Sequence, residues 1–255
     1  PLTVPEHPMF AGDAAQRRRN RHSSQASDLE MLQLVMEFVT QDDVDQSIAA
    51  ITAQYLPRDG GTVNGSFSIN KLYPDLPAQV HGNIRRNWGE VADRCKRLAS
   101  ALSQRGVGKG DTVALIAPNI PEALECALAI PMLGAVLNAN NVRLDAATLG
   151  FILEHGEANV LLADTEFSSL AREAVTHSGR DLLVVDIEDT EGPGGECIGE
   201  LTYEKLLAEG SADFPYTPPD DEWDALALNY TSGTTGQPKG VVYSHRGAWT
   251  NAVNN

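Results

Sequence analysis

From Tyr73 onward the chain alternates amphipathic helical patterns with short apolar, β-rich runs, and few architectures accept that order. Trp88 to Arg105 carries Val91, Cys95, Leu98 and Leu102 on one helical face and stops at Gly106, which reads as a C-cap. Thr112 to Ala117 is a short apolar run between Asp111 and Pro118, the pattern of a buried strand. Asn119 and Pro121 then signal the start of a helix running toward Gly134. Asp145 precedes Leu149, Ile152 and Leu153, with His155 and Gly156 closing that helix, and Val160 to Ala163 and Leu182 to Ile187 follow as further strands. Helix and strand in alternation imply an α/β fold, a mainly parallel sheet flanked by helices on both faces.

Two stretches interrupt this order. Asp189 to Gly195 is rich in Gly, Pro, Glu and Asp and reads as an exposed loop, and Pro215, Pro218 and Pro219 mark a second irregular segment. Ala225 to Tyr230 resumes an apolar strand. The first 66 residues differ from the rest: Arg17, Arg18, Arg19 and Arg21 form a basic run read as a solvated segment, and Ser27 to Leu56 reads as a helix with Leu29, Leu32, Val35 and Met36 as packing surface. Residues 1–66 are therefore taken as a partly helical extension of unknown role, and 67–255 as the α/β part.

Composition narrows the function classes. With 35 acidic against 19 basic side chains, a formal charge of −16 opposes broad attraction to nucleic acid or anionic membrane. A phosphate ligand must be held by local donors and a metal. Cys95, Cys126 and Cys197 lie far apart with no CxxC or Cys/His ligand spacing, so they read as reduced thiols and no residue is assigned as a metal ligand. No apolar stretch approaches the roughly 20 residues of a membrane helix, and the expected protein is soluble and cytoplasmic.

Gly106, Gly108 and Gly110 imitate a dinucleotide-binding turn, but that motif needs a strand before the glycines and a helix after them. Here the order is reversed, and no helix N-terminus follows to receive a pyrophosphate. The stretch YTSGTTGQPKGVVYSHRG, Tyr230 to Gly247, differs. Thr231, Ser232, Thr234 and Thr235 supply four hydroxyls, while Gly233 and Gly236 let the backbone approach a ligand with its N–H groups exposed. Lys239 adds a compact positive charge suited to phosphate oxygens, Pro238 fixes the backbone before it, and Val241 to Tyr243 resumes a β pattern. The loop is thus expected to join two strands. That separates it from a Walker P-loop, whose Lys and Ser/Thr open a helix, and from a flexible Gly/Ser linker, which has no reason to end in Pro-Lys-Gly between apolar strands. Gln237 and Gly240 carry less information, and His245 and His155 read as structural histidines.

At this loop the chain resembles the adenylate-forming enzymes, the superfamily of acyl-CoA synthetases, luciferases and peptide-synthetase adenylation domains. The resemblance runs from about Ser66 to the last residue and includes GVGKGDTVALIAPNIPEALECALAIPMLGAVLNANNVRLDAATLGFILEHGEANVLLAD, Gly106 to Asp164. DEWDALALNYTSGTTG, Asp221 to Gly236, is similar to the branch of short- and medium-chain acyl-CoA ligases and methylmercaptopropionyl-CoA ligase. The resemblance implies a two-step ligase reaction: a carboxylic (fatty) acid and ATP give an acyl-adenylate and pyrophosphate, and the acyl group passes to coenzyme A. It implies that Thr231, Ser232, Gly233, Thr234, Thr235 and Gly236 contact the β- and γ-phosphates of ATP. Lys239 would stabilise the pyrophosphate, and Mg2+ would bridge phosphate oxygens. Other adenylate-forming activities, on amino acids or luciferase-like, share such a loop, and a catalytically inactive nucleotide-binding or interaction fragment stands as an alternative.

The chain stops at Asn255, inside what reads as the helix after the signature. In the family an acidic magnesium-binding motif, a ribose-binding aspartate, most of the acyl pocket and the principal catalytic lysine lie further on. The resemblance therefore implies the N-terminal part of the large adenylate-forming domain, incomplete at the C-terminus and expected to be inactive alone in thioester formation.

Overall fold

The computed structural model describes residues 74–216, 218–231 and 238–254. The arginine run, the expected helix over Ser27 to Leu56 and the boundary at residues 66/67 lie outside the described residues, as do Ser232, Gly233, Thr234, Thr235, Gly236 and Gln237.

A two-stranded antiparallel ribbon, β1 (Pro77–His81) and β2 (Ile84–Asn87), opens the described fold. Its last residue is also the first device of α1 (Trp88–Gln104). The Asn87 side chain accepts from the Glu90 N–H while Glu90 accepts from the Asn87 N–H, a reciprocal capping box that satisfies two otherwise orphan donors. The expected face is buried: Val91, Cys95, Leu98 and Leu102 are all at or below 2% exposure, and burying a leucine such as Leu98 contributes roughly 1.5–3 kcal/mol. The helix ends at Gln104, two residues before the expected glycine. Arg105 is the cap, and Gly106, at φ +84°, follows it and donates to Ser103 O while Val107 donates to Leu102 O. This is the Schellman closure, and Gly106 provides its left-handed residue.

The chain then enters β3 (Thr112–Ile116), buried along its whole length. Helix α2 (Pro121–Met132) has Pro121 at its first turn, as expected, but Asn119 does not cap it. The cap is Ile120, extended and buried, with no side-chain hydrogen bond to the helix, while Asn119 points to solvent. The hydrophobic anchor at Ile120 outweighs the local capping preference of asparagine. Next come β4 (Val136–Ala139), α3 (Ala146–His155), β5 (Ala158–Asp164), a 3-10 turn over Thr165–Phe167, α4 (Ser168–Ser178) and β6 (Leu183–Ile187). Asp145 caps α3 as expected, accepting from the Thr148 N–H at 2.9 Å and from its hydroxyl at 2.8 Å. Two-residue β7 (Leu201–Thr202), α5 (Tyr203–Glu209), β8 (Ala225–Thr231), β9 (Lys239–Ser244) and α6 (His245–Asn254) complete the order.

Seven strands form one sheet in the order β7-β6-β5-β3-β4-β8-β9. Every pairing is parallel except β8 with β9. Alternate residues of β3 serve the two faces: Val113 and Leu115 join a cluster with α1, α2 and α5, whereas Ala114 and Ile116 join one with α3 and α4. Burial on both faces explains the unbroken apolar text of β3 and β5. The loop over Asp189 to Gly195 has mostly exposed residues, yet it is fastened. Asp189 accepts from or pairs with His81 Nε2 at 2.9 Å, and Glu191 accepts from Asn83.

A phosphate-loop hairpin as the candidate functional site

The loop singled out in the sequence is the tip of the β8–β9 hairpin. Thr231 ends β8, Lys239 begins β9, and the two residues face each other across the last described rung of the ladder. Both are exposed, and Pro238, just before Lys239, is half-buried. The structure therefore joins the first and last residues of the cradle and supports them on two strands. The six residues between, Ser232 to Gln237, lie outside the described part, so the contacts expected of Ser232, Gly233, Thr234, Thr235 and Gly236 remain expectations. A hydroxyl at Thr231 opposite an ammonium at Lys239 can engage two sides of one polyanion, a compact charge placed where the chain-wide charge of −16 gives no help.

The hairpin is seated by contacts at several heights. Ala227 pairs with Leu137 of β4, and Asn138, fully buried, donates from Nδ2 to Leu228 O at 2.7 Å. At the base, His245 N donates to Asp224 O and Arg246 N to Glu222 O, and the Arg246 guanidinium pairs with the Glu222 carboxylate at 2.9 Å. Asp224 also pairs with Lys109 at 2.6 Å, linking the approach to β8 with the turn before β3. His245 begins α6 and takes part at this base through its backbone N–H. Its partial burial pushes the imidazole below its ordinary value, and Asp224 opposes that shift.

Near the loop, Tyr230 was missed as an individual residue by sequence reasoning. Its ring covers Gly240, the residue opposite it in register, and a Cβ at Gly240 would come within 3.1 Å of Leu228 and 3.5 Å of the Tyr230 ring. Its hydroxyl lies 2.7 Å from His155 Nδ1 at the end of α3, with the two rings edge-on at 5.7 Å between centroids. Partial burial raises the phenol above its ordinary value. The absent side chain at Gly240 was the available signal, but its meaning depends on the cross-strand partner. The triple-glycine turn at Gly106 to Gly110 lies between α1 and β3, as its order implied, so no helix N-terminus follows it.

Among the described residues, no group of three or more His, Cys, Asp or Glu is arranged to hold a metal ion, and no helix is long and apolar enough to cross a membrane. Cys95 and Cys126 are buried and free, Cys197 is exposed and free, and burial pushes the Cys95 thiol far above its ordinary value.

A family model described as AMP-binding enzyme matches residues 68–255, spanning the α/β sheet and the whole hairpin. The chain belongs to the AMP-binding enzyme family. Within that family it is 43% identical over 198 residues to a peroxisomal acetate/butyrate–CoA ligase of Arabidopsis thaliana, covering 72% of this chain and 34% of that protein. An acetate–CoA ligase of Humulus lupulus is 42% identical over 190 residues, covering 70% and 34%. The chain thus spans about a third of the length of the curated relatives it matches. Among solved structures, a Mycobacterium tuberculosis fatty acyl CoA synthetase matches with a TM-score of 0.55 at 26% identity, over 69% of this chain and 33% of that one. An anthranilate CoA ligase in complex with anthranoyl-AMP matches with a TM-score of 0.62 over 70% and 33%, and its 24% identity carries the fold alone. The family membership accounts for the parallel sheet and the strand-flanked loop together.

Proposed function

We propose that the whole protein activates a carboxylic acid with ATP and transfers the acyl group to coenzyme A. The observation that carries the reading is the Thr231–Lys239 rung, which holds the ends of a hydroxyl- and glycine-rich loop in a member of the AMP-binding family. In the first step a carboxylate oxygen attacks the α-phosphorus of ATP, the bond to the bridging oxygen breaks, and pyrophosphate leaves. In the second, the coenzyme A thiolate attacks the acyl carbonyl and AMP leaves, giving the thioester. The substrate is the nucleophile, so no Ser/His/Asp triad is required. Catalysis then rests on positioning and charge stabilisation.

In this reading Thr231, Ser232, Gly233, Thr234, Thr235 and Gly236 hold the β- and γ-phosphates, and Lys239 stabilises the departing pyrophosphate. The loop residues would supply hydroxyls, amides and one ammonium, and Mg2+ bound with the nucleotide would neutralise further phosphate charge. Residues 1–66 are proposed as an extension separate from the ligase domain, supported by a family match that begins at residue 68. A cytoplasmic location is part of the proposal. The Arabidopsis relative named peroxisomal makes the peroxisome its competitor, and a fluorescent tag on the full-length protein distinguishes the two.

The test is product analysis with the full-length protein, ATP, magnesium, coenzyme A and a panel of short-chain, medium-chain and aromatic acids. AMP, pyrophosphate and acyl-CoA should appear in equal amounts with at least one acid. Acid-dependent AMP and pyrophosphate without any thioester would instead assign a different adenylate-forming activity, such as amino-acid adenylation. Nucleotide binding with no turnover on any acid would support an inactive nucleotide-binding module.

A further inference from the structure

We propose that Tyr230, held by His155, is the positioning residue of the phosphate loop. The pair sets the separation of Thr231 and Lys239 and thereby the affinity for the polyphosphate of ATP. The inference rests on the ligase reading for its ligand and on the geometry of the hairpin for everything else.

Tyr230 directly precedes Thr231, and its register partner Gly240 directly follows Lys239. The Tyr230–Gly240 rung is therefore the one on which the functional rung stands. The hydroxyl-bearing end of the Tyr230 ring lies beside both β9 and α3: a Cβ on Gly240 would be 3.5 Å from its Cζ, and a Cβ on Gly156 would be 3.4 Å from its hydroxyl. The tighter limits at these glycines come from elsewhere, Leu228 at 3.1 Å from a Cβ on Gly240 and Ile152 O at 2.9 Å from one on Gly156. The hydroxyl then makes its 2.7 Å hydrogen bond with His155 Nδ1, and Phe151, one helical turn earlier, backs the imidazole at 5.3 Å between centroids.

The anchor itself is fixed. Gly156 N donates to Ile152 O and Glu157 N to Glu154 O, and Glu157 adopts a left-handed φ of 52° that turns the chain directly into buried Ala158 of β5. A non-glycine residue in that region costs about 1 kcal/mol, so the turn is held by its surroundings. The other ties of β8 to the sheet, at Ala227 and Leu228, lie two to three residues further from the loop. On the far side of the hairpin, Val241 and Val242 of β9 are exposed at 39% and 64%. A hairpin end seated this way transmits a change at Tyr230 directly to Thr231 and Lys239.

The experiment compares wild type with Tyr230→Phe, His155→Ala and the double variant of the full-length protein. Two readouts are used: hydrogen exchange of the amides from Thr231 to Lys239, and acid-dependent exchange of labelled pyrophosphate into ATP. Tyr230→Phe keeps the ring and loses only the hydrogen bond, so the fold is preserved. Each single change should speed loop exchange and raise the KM for ATP about five-fold, the equivalent of one hydrogen bond. The KM for the acid should stay unchanged, and the double variant should be no worse than the worse single one, because both break the same contact. His155→Gln, which can still reach the phenol, should recover part of the loss. A merely structural role would lower Tm without changing the KM for ATP. Unchanged loop exchange in Tyr230→Phe, or effects of the two singles that multiply in the double, would overturn the proposal. Absence of pyrophosphate exchange in the wild type would count against the ligase reading, and the hydrogen-exchange result would still decide the role of Tyr230.

Discussion

In the proposed ligase reading, Lys239 is the residue of this chain that meets the leaving pyrophosphate. It is exposed, begins β9 and faces Thr231, so its removal should leave the hairpin formed and take away one charge where charge develops on the leaving pyrophosphate. Lys239→Ala in the full-length protein should slow adenylation by 10²-fold or more, within the range for losing a preorganised electrostatic group. Transfer from preformed acyl-adenylate to coenzyme A should change far less. Single-turnover measurement of the two half-reactions checks this, and equal losses in both would contradict the role. The placement of Lys239 at the start of a strand was legible in the sequence, from the proline beside it and the β pattern after it. Tyr230, Gly240 and His155 were not, because 75 residues separate the histidine from the phenol it touches. Asn119 and Pro121 marked the start of α2, but the cap itself is Ile120, whose burial the sequence does not show.

At the scale of elements, helices α1 and α3 and strands β3 and β5 were readable from periodicity and capping residues, all local signals. What joins the elements was not. Glu125 of α2 is fully buried and accepts from Arg86 at the end of the β1–β2 ribbon at 2.9 Å, from Arg94 of α1 at 2.7 Å and from the Tyr203 hydroxyl of α5 at 2.9 Å. Four elements meet at one carboxylate. Each of its partners is a long-range one, and the sequence shows only scattered charges on helices that look solvated. With both oxygens satisfied, the cost of burying this carboxylate is largely offset; removing it leaves the buried Tyr203 hydroxyl without its acceptor and takes one carboxylate from Arg86 and Arg94, which keep Glu122 and Glu204. Glu125→Leu should therefore destabilise the fold by about 1–3 kcal/mol. Denaturant unfolding checks it, and a change below about 1 kcal/mol would show that the network contributes little to stability.

The sequence is acidic, and among the described residues a small number of guanidiniums tie its layers together. Glu204 of α5 is held below the ordinary carboxylate value, first by its hydrogen bond from Arg94, against some burial. A depressed folded-state pKa contributes stability above the unfolded value of about 4.3, and loses it as pH falls through the folded one. Glu204→Gln should thus lower Tm at pH 7, and its gap from wild type should close below about pH 4. A gap that persists or widens on acidification would contradict the pairing. The parallel sheet, the covering helices and the hairpin reading all follow from alternation in the sequence, and the family match covers the same span from residue 68. The chain spans about a third of the length of the relatives it matches, so the choice of acid is a question for the full-length protein.

The most direct measurement is acid-dependent exchange of labelled pyrophosphate into ATP by the full-length protein, for wild type and Lys239→Ala side by side. The account predicts exchange in the wild type with at least one carboxylic acid and a loss of 10²-fold or more in the variant. Exchange that is absent with every acid, or that is undiminished without Lys239, would contradict it.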